Sequence, residues 1–303
     1  MKKPLLLVIV GPTSSGKSDL AVKLARRFNG ELVSADSRQV YIGMDIGTAK
    51  LKPPRGVKQW LVDVVRPDQS FTLKQYQRLA LRVIGDIQRR GKLPILIGGT
   101  GLYIDAVVDN WQIPAVAPQH RLRRKLERVL LSQGLSPLVR QLQTVDILSA
   151  ERIDLNNPRR VIRALEVAFT TGNSFVSAKQ KGEPRFNVLK ICLIASREQL
   201  RQRIQKRTQA MVRRGLVGET RRLLKRYSPH LPAMSGIGYA EVAAYINGEI
   251  QRAEMINKIV THSMQYARRQ MTWWKRDSFI LHVTNSIAAT TVIRRWLLVN
   301  ERH

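Results

Sequence analysis

This chain has little cysteine, little acid and no long apolar run. Its one cysteine, Cys192, sits in the apolar stretch 189–194. That excludes an intrachain disulfide and a multi-cysteine zinc site, and it suits a reducing compartment such as the cytoplasm. No segment reaches the roughly 18 consecutive apolar residues of a membrane span, so no membrane partner is expected. Lys2-Lys3 ahead of an apolar run has the look of a signal peptide, but the run is short and leads straight into a glycine-rich loop, so it reads as a first strand. There is no internal repeat and no low-complexity tract. Acidic residues number 22 against 52 lysines and arginines, a formal charge of +30 in 303 residues. A small-metabolite enzyme has no use for such an excess. A polyanion does, nucleic acid first, with an anionic membrane and plain solubilising charge as the competing explanations.

The densest signal is GPTSSGKS at 11–18. Gly11, Gly16, Lys17 and Ser18 match the phosphate-loop pattern, and Pro12, Thr13, Ser14 and Ser15 complete the loop. The flanks agree with it. Residues 5–10 are continuously apolar, as in a buried parallel strand, and Leu20, Ala21, Leu24, Ala25 and Phe28 recur with helical period. Backbone amides and a helix N-terminus then face an anion, Lys17 adds a positive charge, and Ser18 is a Mg²⁺ ligand candidate.

The rest of the chain is organised around this unit. The patterns predict strands at 31–34, 61–65 and 93–97, and a helix over 72–90 with Thr72 as cap. Residues 1–110 therefore read as a doubly wound α/β core with a parallel sheet. From Trp111 a linker bearing Pro114 and Pro118 leads into helical periodicity, with the basic run 121–128 and a helix over 161–169 ended near Gly172. The core pattern resumes at strand 188–194, continues into a basic helix from Arg197 and ends in a possible strand at 279–283. The expected domains are a catalytic core of 1–110 with 187–303, and a mostly helical insertion at 111–186.

Three stretches fall where a phosphate-loop enzyme places its site. Asp36 in ADSRQVY lies just past the second strand and is a candidate general base or Mg²⁺ partner, or a simple turn residue. Thr100 in GGTGLY offers a hydroxyl beside glycines that admit close approach. Arg207 and the segment 211–219 supply cations able to neutralise a leaving phosphate, or a solvated face. In YARRQMTWWKRD, Trp273 and Trp274 read first as core, with stacking on bases as the alternative. These residues leave open a phosphate-loop kinase acting on a small molecule and a non-enzymatic RNA-binding NTP switch.

The stretches GPTSSGKS, DSRQVY, MDIGTAK at 44–50, GGTGLYI, NPRRVIRALEV at 157–167, GIGYAE at 236–241 and ARRQMTWW at 267–274 together resemble the tRNA dimethylallyltransferases, over about residues 5–277. The resemblance implies transfer of a dimethylallyl group from dimethylallyl diphosphate to N6 of the adenosine 3′ of the anticodon, in tRNAs reading U-initial codons. It implies diphosphate binding by Thr13, Ser14, Gly16, Lys17 and Ser18, with Mg²⁺ as cofactor. Asp36 takes a hydrogen bond or proton from the adenine amine, Thr100 lines the channel, and Arg207 assists the diphosphate. Expected tRNA contacts are Asp36, Ser37, Arg38, Gln39, Thr100, Arg123, the run Arg159, Arg160, Val161, Ile162 and Arg163, and the turn Ser235, Gly236, Ile237, Gly238, Tyr239 and Ala240. The expected protein is a cytoplasmic monomer. The chain departs from the family pattern at Ile42, Gln59-Trp60, Asp154-Leu155 and Met264, none of which removes an implied catalytic group.

Overall fold

The apolar run after Pro4 becomes the centre of a sheet. In the computed structural model, which describes residues 3–113, 119–177 and 180–301, the chain begins with β1 (Leu5–Val10), α1 (Lys17–Arg27), β2 (Gly30–Ala35), β3 (Gln59–Trp60), α2 (Leu73–Arg89), β4 (Leu93–Gly98) and α3 (Gly101–Val108). Four helices follow: α4 (His120–Gln133), α5 (Ser136–Val145), α6 (Ile147–Arg152) and α7 (Pro158–Thr171). The chain then forms β5 (Asn187–Leu193), α8 (Arg197–Arg213), α9 (Leu216–Leu224), a short 3₁₀ turn at Ala233–Ser235, α10 (Tyr239–Ile246), α11 (Arg252–Trp274), β6 (Leu281–Val283) and α12 (Ser286–Glu301). Two units separate: Met1–Val108 with Arg185–His303, and Asp109–Pro184. The proline linker at 114 and 118 lies outside the described residues.

The first unit is an α/β layer structure. Its six strands lie in the order β3-β2-β4-β1-β5-β6, and every pairing is parallel. Alternation along β1 splits its side chains between two cores. Leu6, Val8 and Val10 meet Tyr76, Ala80 and Ile84 of α2 with Ile104 of α3. Leu7 and Ile9 meet Leu20, Ala21 and Leu24 of α1 with Ala289 and Ile293 of α12. Burial on both faces explains why β1 is apolar throughout rather than alternating. The strand ends that carry the loops after β1, β2 and β4 therefore lie on one edge, where open parallel sheets bind ligands.

Thr72 caps α2 as its sequence predicts. The Thr72 hydroxyl accepts from the Gln75 amide, and the Gln75 side chain accepts from the Thr72 amide. The strand expected at 61–65 is instead the two-residue β3 at Gln59–Trp60. Leu61 and Asp63 take positive φ values of 62° and 56°, which break the extended path after Trp60. Val65 keeps only an isolated bridge to Tyr41.

The second unit is helical, as its periodicity predicts. Leu126, Leu138, Leu142, Val161, Ile162 and Leu165 form its core. α7 begins with Pro158 after an Asn157 cap and ends at Gly172 in the left-handed conformation. Its buried Glu166 accepts from the Gln119 amide and pairs with Arg123 and Arg163 at 2.6 and 2.7 Å. Those hydrogen bonds hold the Glu166 carboxyl below the usual carboxylate range, against the opposing effect of burial.

Candidate active site

The loop after β1 closes because Gly16 sits at φ 95°, which lets α1 start at Lys17. The Lys17 ammonium donates to the Pro12 carbonyl at 3.2 Å. Burial, and second to it the neighbouring Arg207, pull Lys17 down to about 8, while Asp36 and Cys192 oppose the shift. α8 closes the loop from the far side. Arg207 donates to Thr13 Oγ1 at 3.2 Å and to Ser14 Oγ at 3.5 Å. Arg203, one turn earlier on the same helix face, donates to the Ser15 carbonyl at 2.9 Å. Among the described residues neither Lys17 nor Arg207 forms an ion pair, and burial lowers the pKa of both. Two desolvated cations beside loop amides favour an anion in this place.

The second half of the site grows from β2 and β4. Asp36 follows Ala35, and its Oδ1 accepts the amides of Arg38 at 2.8 Å and Gln39 at 3.4 Å. This Asx-type turn presents residues 36–39 at the sheet edge. Thr100 follows β4; its amide donates to the Ala35 carbonyl at 3.2 Å, and its Oγ1 accepts the Ser37 amide at 3.1 Å. The glycines around Thr100 exist for close approach. A Cβ on Gly98 would lie 2.1 Å from the Ala35 carbonyl oxygen, and one on Gly101 would strike the Trp273 ring at 2.4 Å. Gln39 donates to the Thr48 carbonyl at 3.2 Å, and Arg38 reaches the carbonyls of Pro232 and Ala233 and the Ser235 hydroxyl.

These halves share one pocket. Thr13, Lys17, Ser18, Asp36 and Arg207 line it, together with Gln59, Tyr266 and Gln270. A hydroxyl and a carboxylate are hard oxygen donors suited to Mg²⁺ held by few protein ligands and by substrate phosphates. Ser18 and Asp36 therefore fit that ion. No group of three His, Cys, Asp or Glu residues able to cage a metal exists among the described residues.

Not every residue expected at the RNA surface can reach one. Val161 and Ile162 are 0% and 6% exposed and belong to the core of the helical unit. Tyr239 is 1% exposed, and its hydroxyl donates to Glu219 at 2.7 Å. Gly236 and Gly238 are buried too. Their sequence neighbours Arg159, Arg160, Ser235 and Ala240 are exposed, so the buried members shape the surface rather than form it. Arg123 and Arg163 are anchored on Glu166. The tryptophan pair is core: Trp274 is 1% exposed, and Trp273 donates to Asp105 at 2.8 Å.

Two contributors escape sequence reasoning. The buried carboxylate of Glu219 accepts the amides of Asp45, Ile46 and Gly47 at 2.8–3.1 Å, and so fixes the MDIGTAK loop. Gln270 bridges Thr13 and the Gly99 carbonyl. Gln270 lies inside the ARRQMTWW stretch, but nothing there marks it off from its neighbours as a residue of the site.

In the helical unit, Arg121, Arg124 and Arg128 line an open groove along α4 with Glu127 and the exposed Leu131. Among the described residues no helix is long and apolar enough to cross a membrane.

The family model described as IPP transferase matches residues 39–277, and one described as isopentenyl transferase matches residues 4–62. A tRNA dimethylallyltransferase of Roseiflexus sp. (strain RS-1) is 43% identical over 300 residues, covering 96% of this chain and 98% of the relative. Another, of Roseiflexus castenholzii, is 46% identical over 274 residues, covering 89% of this chain and 90% of the relative. Among solved structures, the full-length tRNA isopentenylpyrophosphate transferase of Bacillus halodurans aligns with TM-score 0.73 at 35% identity, covering 99% of this chain and 97% of that one. A eukaryotic dimethylallyltransferase acting on tRNA aligns with TM-score 0.75 at 27% identity, covering 93% and 74%. With the phosphate loop, the Asp36 turn and the GGTG strand end assembled around one pocket, the chain belongs to the IPP transferase family.

Proposed function

We propose that this protein is a tRNA dimethylallyltransferase. It transfers the dimethylallyl group of dimethylallyl diphosphate to N6 of the adenosine 3′-adjacent to the anticodon, in tRNAs that read U-initial codons, and releases diphosphate. One observation carries the reading beyond family membership. A pair of desolvated cations, Lys17 and Arg207, shares a pocket with a carboxylate, Asp36, so a leaving anion and a proton acceptor are held side by side.

The chemistry follows from these groups. An exocyclic adenine amine is a weak nucleophile because its lone pair is delocalised into the ring. Asp36 accepts a hydrogen bond from the amine and takes its proton as the N–C bond forms. The allylic C–O bond breaks, and its electron pair leaves with the diphosphate. Lys17, Arg207 and the loop amides meet the charge that develops there. A Mg²⁺ held by Ser18 would supply further neutralisation of the diphosphate when bound, with Asp36 left free to act as the base. The adenosine leaves its stack to reach the pocket, and Ser37, Arg38, Gln39 and Thr100 lie against it. The Asp109–Pro184 unit takes the anticodon arm on its arginine-lined surface. The chain works as a cytoplasmic monomer.

The test is incubation with labelled dimethylallyl diphosphate and total tRNA, in parallel with labelled ATP and small hydroxylated acceptors. Label in tRNA from the isoprenoid donor supports the reading. Phosphoryl transfer from ATP without prenyl transfer returns the protein to the kinases, and binding without either reaction makes it an RNA-binding switch.

A further inference from the structure

Gln270 lies late in α11 and is 5% exposed. Both ends of its amide are in use. Oε1 accepts the Thr13 backbone amide at 2.7 Å, and Nε2 donates to the Gly99 carbonyl at 2.9 Å. The orientation of the amide is fixed chemically, because a backbone N–H can only donate and a carbonyl can only accept. Approach is tight: a Cβ on Gly99 would lie 2.0 Å from Nε2.

What the side chain joins matters more than its burial. Thr13 belongs to the loop that carries Lys17, and its hydroxyl accepts from Arg207. Gly99 precedes Thr100, whose Oγ1 accepts the Ser37 amide next to Asp36. The Thr13 amide is engaged by Gln270, so it acts as a tether rather than as an anion donor. The donor half and the acceptor half of the pocket are thus linked through one neutral side chain from a distant helix. Asp36, Thr100 and Lys17 cannot drift apart while that amide bridges them.

Building on the transferase reading above, we infer that Gln270 is a positioning residue that sets the separation between the diphosphate loop and the acceptor turn, and hence between the allylic carbon and the attacking amine. A displacement of about 1 Å in such a geometry costs on the order of 10²-fold in rate.

The experiment uses the full chain with Gln270→Met and Gln270→Glu. Single-turnover prenyl transfer is measured at saturating dimethylallyl diphosphate and tRNA, and dissociation constants are measured separately for inorganic pyrophosphate and for tRNA. Wild-type transfer tests the transferase reading by itself; if wild type fails, that reading falls whatever the variants do. Given wild-type transfer, Gln270→Met should lose on the order of 10²-fold in rate, with both dissociation constants close to wild type. Gln270→Glu adds a readout that simple loss of packing does not move. A protonated carboxylic acid donates to Gly99 and accepts from Thr13 as the amide does, whereas a carboxylate cannot donate. The ratio of the Gln270→Glu rate to the wild-type rate should therefore rise as pH falls. Should the Met variant not fold, the Glu ratio decides alone. A near-wild-type rate, a loss of pyrophosphate affinity equal to the loss of rate, or a flat Glu ratio would each overturn the inference.

Discussion

The Thr100 hydroxyl oxygen accepts the backbone amide of Ser37 at 3.1 Å, across 63 residues of chain. That hydrogen bond ties the end of β4 to the turn that carries Asp36, whose Oδ1 is already committed to the amides of Arg38 and Gln39. Asp36 therefore has a fixed place, and its contribution can be separated from that of the turn it builds.

Asp36→Asn keeps an Oδ1 acceptor for both amides but removes the charge and the proton acceptor. Single-turnover transfer should fall by on the order of 10²–10⁴-fold. Affinity for tRNA, set by many phosphate contacts, should stay nearly unchanged. If saturating Mg²⁺ and donor restore the full rate, Asp36 holds the metal and is not the base.

Lys17 gives a pH signature. Its ammonium is charged below about 8 and neutral above. Pyrophosphate affinity of the wild-type protein should fall as pH rises through that region, by up to about tenfold per pH unit. The bound anion itself favours the charged form, so the midpoint should shift upward in the complex. Calorimetric titration across that region, from below the Lys17 midpoint to well above it, checks this against Lys17→Met, which should bind weakly and lack the step. A step of equal size in the variant would assign it to the ligand or to another group.

Arg121, Arg124 and Arg128 line the groove on α4 and are exposed. Replacing all three by glutamine should weaken tRNA binding and flatten its salt dependence. The slope of log affinity against log salt should drop by roughly 0.7–0.9 for each phosphate that is no longer neutralised. An unchanged slope would move the RNA-binding face elsewhere.

Glu219→Ala should be a stability variant. It leaves the amides of Asp45, Ile46 and Gly47 and the Tyr239 hydroxyl without their acceptor. The buried Tyr239 hydroxyl left unpaired costs about 1–3 kcal/mol and the three part-buried amides add less each, so a total on the order of 3 kcal/mol is expected. Urea unfolding measures it, and a midpoint equal to wild type would show that the loop holds without this carboxylate.

Legibility in the sequence follows the range of the interactions. The phosphate loop encodes its turn, its amides and its cation within one short run, so its structure can be read from 11–18 directly. The buried strands are legible because burial on both faces leaves a continuous apolar run. The pattern misplaces β3 because left-handed φ at Leu61 and Asp63, both non-glycine, has no local marker. Thr13 and Gln270 each lie in a legible motif, but with 257 residues between them neither motif announces the bond that joins them. Val161, Ile162 and Tyr239 are expected as tRNA contacts yet have buried side chains, because a motif records which positions matter, not whether a side chain faces solvent or core.

The pairing of β1 sets the order of events during synthesis. Leu5 pairs with Asn187 and Val10 with Cys192, so one edge of the first strand waits for a segment made much later. At about 5–20 residues per second, a ribosome takes on the order of ten seconds or more to deliver it. Through that interval the nascent chain holds an apolar strand with an open edge, the kind of surface that recruits other strands. A chain stopped before residue 187 would keep its complete phosphate loop but leave β1 as an exposed sheet edge, so its expected fate is aggregation or chaperone capture rather than partial function.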